Sequence, residues 1–108
     1  HFALQTTPYS LVGHSHQQFH VLETGALPRF VRASKTPRLK LGRDRLILNA
    51  GSTGQPRDGD PRAGFILYDQ DAATATWHRV EYDIAAAQRK IVAAGLDPWL
   101  AERLAIGH

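Results

Sequence analysis

The chain has 108 residues, 43% of them hydrophobic, which is enough for one real core and too little for two. Thirteen Lys+Arg against ten Asp+Glu give a formal net charge of +3, well short of the charge density of a dedicated nucleic-acid binder. With no Cys, disulfides and thiolate metal sites are excluded, and any bound metal must use His, Asp, Asn or Glu.

The opening residues, His1-Phe-Ala-Leu-Gln5, lack the charged and apolar regions of a signal peptide. Because the chain begins at His1 and holds no Met, further residues are expected upstream. Ser10-Leu-Val-Gly-His14 reads as a short apolar strand running into a turn, and the alternating Phe19-His-Val-Leu-Glu-Thr24 as its neighbour. Arg29-Phe-Val-Arg-Ala33 and Arg38-Leu-Lys-Leu41, split by Pro37, fit edge or hairpin strands. Arg45-Leu-Ile-Leu-Asn49 is continuously apolar and predicts a more buried strand. It leads into the turn-rich stretch Gly51–Pro61, a long loop expected to carry more than packing. Gly64–Asp69 and Thr74–Tyr82 predict a final strand pair.

At Asp83 the pattern becomes helical: Asp83 is a suitable N-cap, Ile84, Ala87, Ile91 and Ala94 recur at helical spacing, and Gly95 is a stop. Asp97-Pro98 repeats the start signal for a short last helix with Leu100 and Leu104 on its apolar stripe. No repeat, linker or low-complexity tract interrupts the chain. No apolar run approaches the ~20 residues that span a bilayer, so a soluble, cytoplasmic protein without membrane contact is expected.

Gly13-His14-Ser15-His16 is the sharpest chemical feature. Two imidazoles one residue apart, leaving an apolar strand through a glycine turn, can be presented to one site, and neutral imidazole is a common ligand for Zn, Mn or Fe. The bland alternative is a pair of solvated loop histidines. His20 and His78 suit half-buried strand positions and receive no role. In the second feature, Asn49–Ala63, Arg57 and Arg62 can make bidentate bonds to phosphate. Alternatively they pair with Asp58 and Asp60 to close the loop. The acids lack the later Glu that an EF-hand Ca site requires. Arg29, Arg32, Lys35, Arg38, Lys40, Arg43 and Arg45, against the single acid Asp44, raise a non-catalytic phosphate- or nucleotide-binding module as the alternative function. With Phe30 its single aromatic, the stretch reads better as a solvated face, and nucleic acid is not an expected partner.

Together, Gly13-His-Ser-His16, Asn49-Ala-Gly-Ser-Thr-Gly-Gln-Pro-Arg-Asp-Gly-Asp-Pro-Arg-Ala63, Ala94-Gly-Leu-Asp97 and Leu100-Ala-Glu-Arg-Leu104 resemble the calcineurin-like metallophosphoesterases, in their small bacterial and archaeal branch. The resemblance covers nearly the whole chain. It departs at Ser15 for Thr, Gln18 where Pro is usual, Ala50 for Pro and Thr53 for Val, and none of these removes a candidate ligand. It implies an α/β fold: the C-terminal half of a four-layer αββα sandwich, with mainly antiparallel strands in one sheet and two C-terminal helices against a face. Residues 1–108 would then be the C-terminal part of a single metallophosphoesterase domain. His14 would bind one of two divalent metal ions (Mn, Fe, Zn or Ni) and His16 the other. Gly13, Asn49 and Ser52 would support the turn, and Arg57 and Arg62 would serve a phosphate-ester substrate. A hydroxide held by the two metals would hydrolyse phosphomonoesters or phosphodiesters. The remaining ligands of the family, in upstream Asp-x-His, Gly-Asp, Gly-Asn-His and one further His segment, have no counterpart here. A missing N-terminal half or another chain is therefore expected to complete the site, and this segment alone is expected to be inactive.

Overall fold

Residues that alternate in polarity, or are β-branched and aromatic, dominate the chain up to Tyr82, and they form strands. The computed structural model describes residues 1–108 and contains β1 (Tyr9–Val12), β2 (Gln18–Leu22), β3 (Arg29–Arg32), β4 (Arg38–Lys40), β5 (Leu46–Ala50), β6 (Ala63–Asp69) and β7 (Thr74–Val80). Two helices follow, α1 (Ile84–Ala93) and α2 (Pro98–Glu102), with 3-10 turns at Phe2–Leu4 and Arg103–Ala105. The chain is thus α/β, with mainly antiparallel strands and two short C-terminal helices.

The expectation of a single sheet needs correction. The strands divide into a four-stranded sheet, ordered β1-β5-β2-β3, and a three-stranded sheet, ordered β4-β7-β6. β1 and β2 are also not neighbours, since β5 lies between them, parallel to β1 and antiparallel to β2. The physical reason is the composition of β5: Leu46-Ile-Leu-Asn49 offers side chains that tolerate burial on both faces, so it takes the central position. β3 and β4, rich in Arg and Lys, take outer positions in different sheets, where charge is tolerated and discourages further pairing.

Both sheets contribute to one core of Ala33, Leu41, Leu46, Leu48, Ala75 and Trp77, each at most 5% exposed. The Trp77 indole N–H donates to the Asn49 carbonyl at 2.7 Å, so the largest core side chain also ties β7 to the end of β5. Asp83 caps α1 by accepting from the Ala86 amide at 2.8 Å, and Asp97 caps α2 by accepting from Trp99 at 2.9 Å. These helices were expected against a sheet face; instead they pack mainly on each other, and α1 has no fully buried residue. The tail beyond them docks on the long loop, where Gly59 N–H donates to Gly107 O at 3.0 Å. A Cβ on Gly107 would lie 2.8–2.9 Å from the Asp60 backbone, so only glycine permits this approach. No helix is long and apolar enough to cross a membrane.

Candidate metal centre

Because β5 separates β1 from β2, the link between them has to cross the end of β5, and this crossing carries both histidines of interest. Gly13 lies close under it, where an added Cβ would sit 3.8 Å from the Gly51 carbonyl oxygen. The His16 amide donates to Gly13 O at 3.0 Å, closing the turn, and His16 itself takes a left-handed backbone with φ 59°. Few non-glycine residues adopt that conformation, so surrounding contacts must hold it there.

Those contacts come from the loop after β5. His16 Nδ1 lies 2.7 Å from the Gln55 carbonyl oxygen. A carbonyl can only accept, so Nδ1 carries the hydrogen, and in the neutral ring Nε2 keeps its lone pair. Metal-binding imidazoles are commonly oriented by such a bond. Ser52 shapes the loop that presents Gln55, its hydroxyl oxygen accepting from the amides of Gly54 at 3.3 Å and Gln55 at 2.9 Å. Asn49, 2% exposed, donates from Nδ2 to Ser15 Oγ at 2.9 Å and accepts from the Gly51 amide at 2.9 Å. His14 is exposed on the same turn.

The two candidate phosphate-binding arginines differ in their surroundings. The Arg57 amide donates to His16 O at 3.1 Å, while its exposed guanidinium donates to Gln55 Oε1 from Nε at 3.0 Å and meets no carboxylate. Arg62 shares no hydrogen bond with the histidine turn. It forms a forked pair with Asp60, Nη2 to Oδ2 at 2.6 Å, beside a cavity of about 220 Å³. The Arg62 guanidinium bond is the main reason the Asp60 carboxyl is lowered to about 2. The expected closure of the loop by its own charges thus holds for Arg62, while Asp58 pairs with Arg79 of β7 and not with Arg57. Sequence reasoning missed Arg79. The available signal was small: Arg79 stands opposite Gly64, the one β6 position without a side chain.

No group of three or more His, Cys, Asp or Glu side chains comes together in a metal-holding arrangement. Neutral imidazoles suit Mn, Fe, Zn and Ni. Two adjacent cations, however, also need anionic oxygen ligands to offset their repulsion. His14 and His16 thus have the chemistry of divalent-metal ligands, and alone they cannot hold a pair of cations.

No protein-family model matches the chain. Among curated proteins, it is 41% identical over 98 residues to an uncharacterised protein of Methanocaldococcus jannaschii, an alignment that covers 90% of this chain and 38% of the relative. Among solved structures, it is similar to the crystal structure of a metallophosphoesterase from Sphaerobacter thermophilus, with a TM-score of 0.85 and 38% identity. That likeness covers 99% of this chain and 45% of the other, so the chain spans less than half the length of either relative. The fold, its element order and this likeness support the calcineurin-like metallophosphoesterase superfamily, and the chain matches part of that fold.

Proposed function

We propose that residues 1–108 are the C-terminal part of a single metal-dependent phosphoesterase domain acting on phosphomonoesters or phosphodiesters, with His14 ligating one of two divalent ions and His16 the other. The observation that carries this reading is the His16 ring, fixed through Nδ1 on the Gln55 carbonyl so that Nε2 is left as a donor. When bound, a pair of divalent ions generates a nucleophile from water near neutral pH and offsets the charge of the phosphate.

The chain's own residues bind and orient. Arg57 lies in the loop that grips His16, and its guanidinium, bonded to the neutral Gln55 acceptor, can turn to phosphate oxygens and make forked bonds to an anion. Arg62 is a second phosphate ligand only if it gives up part of its bond to Asp60. A missing N-terminal half, or another chain, brings the anionic metal ligands. We place the protein in the cytoplasm, a compartment with which a chain free of cysteine is compatible.

A second reading, a phosphate- or nucleotide-binding module, is favoured by one observation: of the seven basic residues between Arg29 and Arg45, only Arg45 is paired with a carboxylate, Glu23 at 3.1 Å. Nickel titration of the chain followed by imidazole NMR tests the first reading. Ni²⁺ is expected to perturb His14 and His16 first, and His14→Ala or His16→Ala should each weaken binding at least ~10-fold, as loss of a ligand does. If both variants bind as the parent does, the histidine turn is not a metal site.

A further inference from the structure

The geometry points to Gln18 as the positioning residue that keeps His16 in its ligand orientation. This rests on the reading that the histidine turn faces divalent ions.

Residues 16–18 lie alongside residues 55–58 and are joined to them by four bonds. His16 Nδ1 donates to Gln55 O at 2.7 Å, and the Arg57 amide donates to His16 O at 3.1 Å. Gln17 Nε2 donates to Arg57 O at 3.3 Å, and the Gln18 amide donates to Asp58 Oδ2 at 3.1 Å. The far end of this zipper needs an anchor, because the left-handed backbone at His16 is unfavourable alone. The Gln18 side chain is that anchor. It is 8% exposed, and its amide nitrogen reaches the carbonyls of Ala50 at 3.1 Å and His78 at 3.0 Å, with Phe65 O more distant at 3.4 Å. Its two N–H groups are thereby used on β5 and β7, so one side chain fixes the histidine turn to both sheets.

Two glycines make room for it. A Cβ on Gly51 would lie 2.7 Å from Gln18 Cγ, and a Cβ on Gly64 would lie 2.7 Å from Gln18 Nε2 and 3.2 Å from Cδ. Gly64 lies in a strand without the positive φ that Gly51 has, so its lack of a side chain is explained by space for Gln18 and not by backbone conformation. The Gln18 side chain hydrogen-bonds to neither His14 nor His16, and its influence passes along the zipper.

The test uses the ¹⁵N-labelled 108-residue chain at about pH 8, above the ordinary imidazole range. Long-range imidazole correlations report which ring nitrogen carries the hydrogen, and calorimetry reports Ni²⁺ affinity. The parent is expected to show His16 protonated at Nδ1. Gln18→Ala should lose that preference and bind Ni²⁺ about tenfold more weakly, the scale on which outer groups act on metal ligands. Gly64→Ala, which pushes the amide out without altering Gln18, should do the same, and its loss in Tm should largely vanish in the double variant with Gln18→Ala. If either single variant folds with the Nδ1 preference and the affinity unchanged, while His16→Ala still abolishes the site, the role of Gln18 is overturned alone. If His16→Ala leaves Ni²⁺ binding intact, the metal reading and this inference fall together.

Discussion

His20 is a buried ring whose surroundings shift its titration. It is 5% exposed, its ring centroid lies 5.7 Å from that of Trp77, and Nδ1 is buried without a partner. Burial, with a smaller push from the Arg29 charge, lowers its pKa below the ordinary 6.5. As the pH falls below about 6.5 the unfolded chain takes up this proton and the folded chain resists it, so stability is fully present above that value and drains away on acidification toward the depressed folded pKa. Between about pH 7.5 and 5.5, Tm should therefore fall more steeply for the parent than for His20→Phe. Parallel curves would mean that the ring titrates alike in both states. The sequence suggested only a half-buried strand position for this residue, because nothing local to Phe19–Leu22 reveals that Leu48 lies opposite it. The histidine turn was legible because its information is local: a glycine, two imidazoles and the end of an apolar strand within four residues. Gln18 and Arg79 were not legible, since each draws its meaning from partners far away in the chain, such as His78 for Gln18 and Asp58 for Arg79.

At the scale of elements, the existence and type of every strand and helix could be read from alternation, caps and stops. Strand order could not, because pairing depends on which apolar run competes best for the central position, and β5 won over the nearer β2 as partner for β1. The same limit hid the brace between loop and sheet. Asp58 and Arg79 side chains are each 14% exposed, and Asp58 Oδ1 has no partner at all. Arg79 also donates to Arg62 O at 3.1 Å, so one guanidinium closes the base of the Gly51–Pro61 loop on β7. Removing it strands a largely buried carboxylate. Arg79→Met is expected to destabilise the fold by about 3 kcal/mol, the scale for breaking a buried pair from one side. Adding Asp58→Asn should recover part of that loss, since the uncompensated charge goes with it. Chemical denaturation of the parent, both single variants and the double variant measures this coupling. Simple additivity of the two changes would show that the pair contributes nothing beyond its separate side chains.

The whole molecule bears the marks of a partial fold. Its radius of gyration is 15.9 Å with extents of 48 × 27 × 23 Å, where a compact chain of this length would have a radius of about 13 Å. Register places Phe30 opposite Val21, and Val21 opposite Ile47, on one face of the four-stranded sheet. Phe30 remains 53% exposed there beside the Phe19 ring, and Trp99 is 52% exposed at the helical end. Apolar surface of this kind commonly marks a place where another polypeptide belongs. The site has the same character, for two neutral donors on one turn cannot neutralise a pair of divalent cations, whatever their orientation. The chain alone should therefore give no Mn²⁺-dependent hydrolysis of bis-p-nitrophenyl phosphate or p-nitrophenyl phosphate above that of His14→Ala prepared in parallel. That variant is the control for contaminating phosphatase, because a contaminant is indifferent to His14. Turnover that requires Mn²⁺ and disappears in His14→Ala would mean that carboxylates elsewhere in this chain, or in a second copy of it, reach the histidine turn in solution.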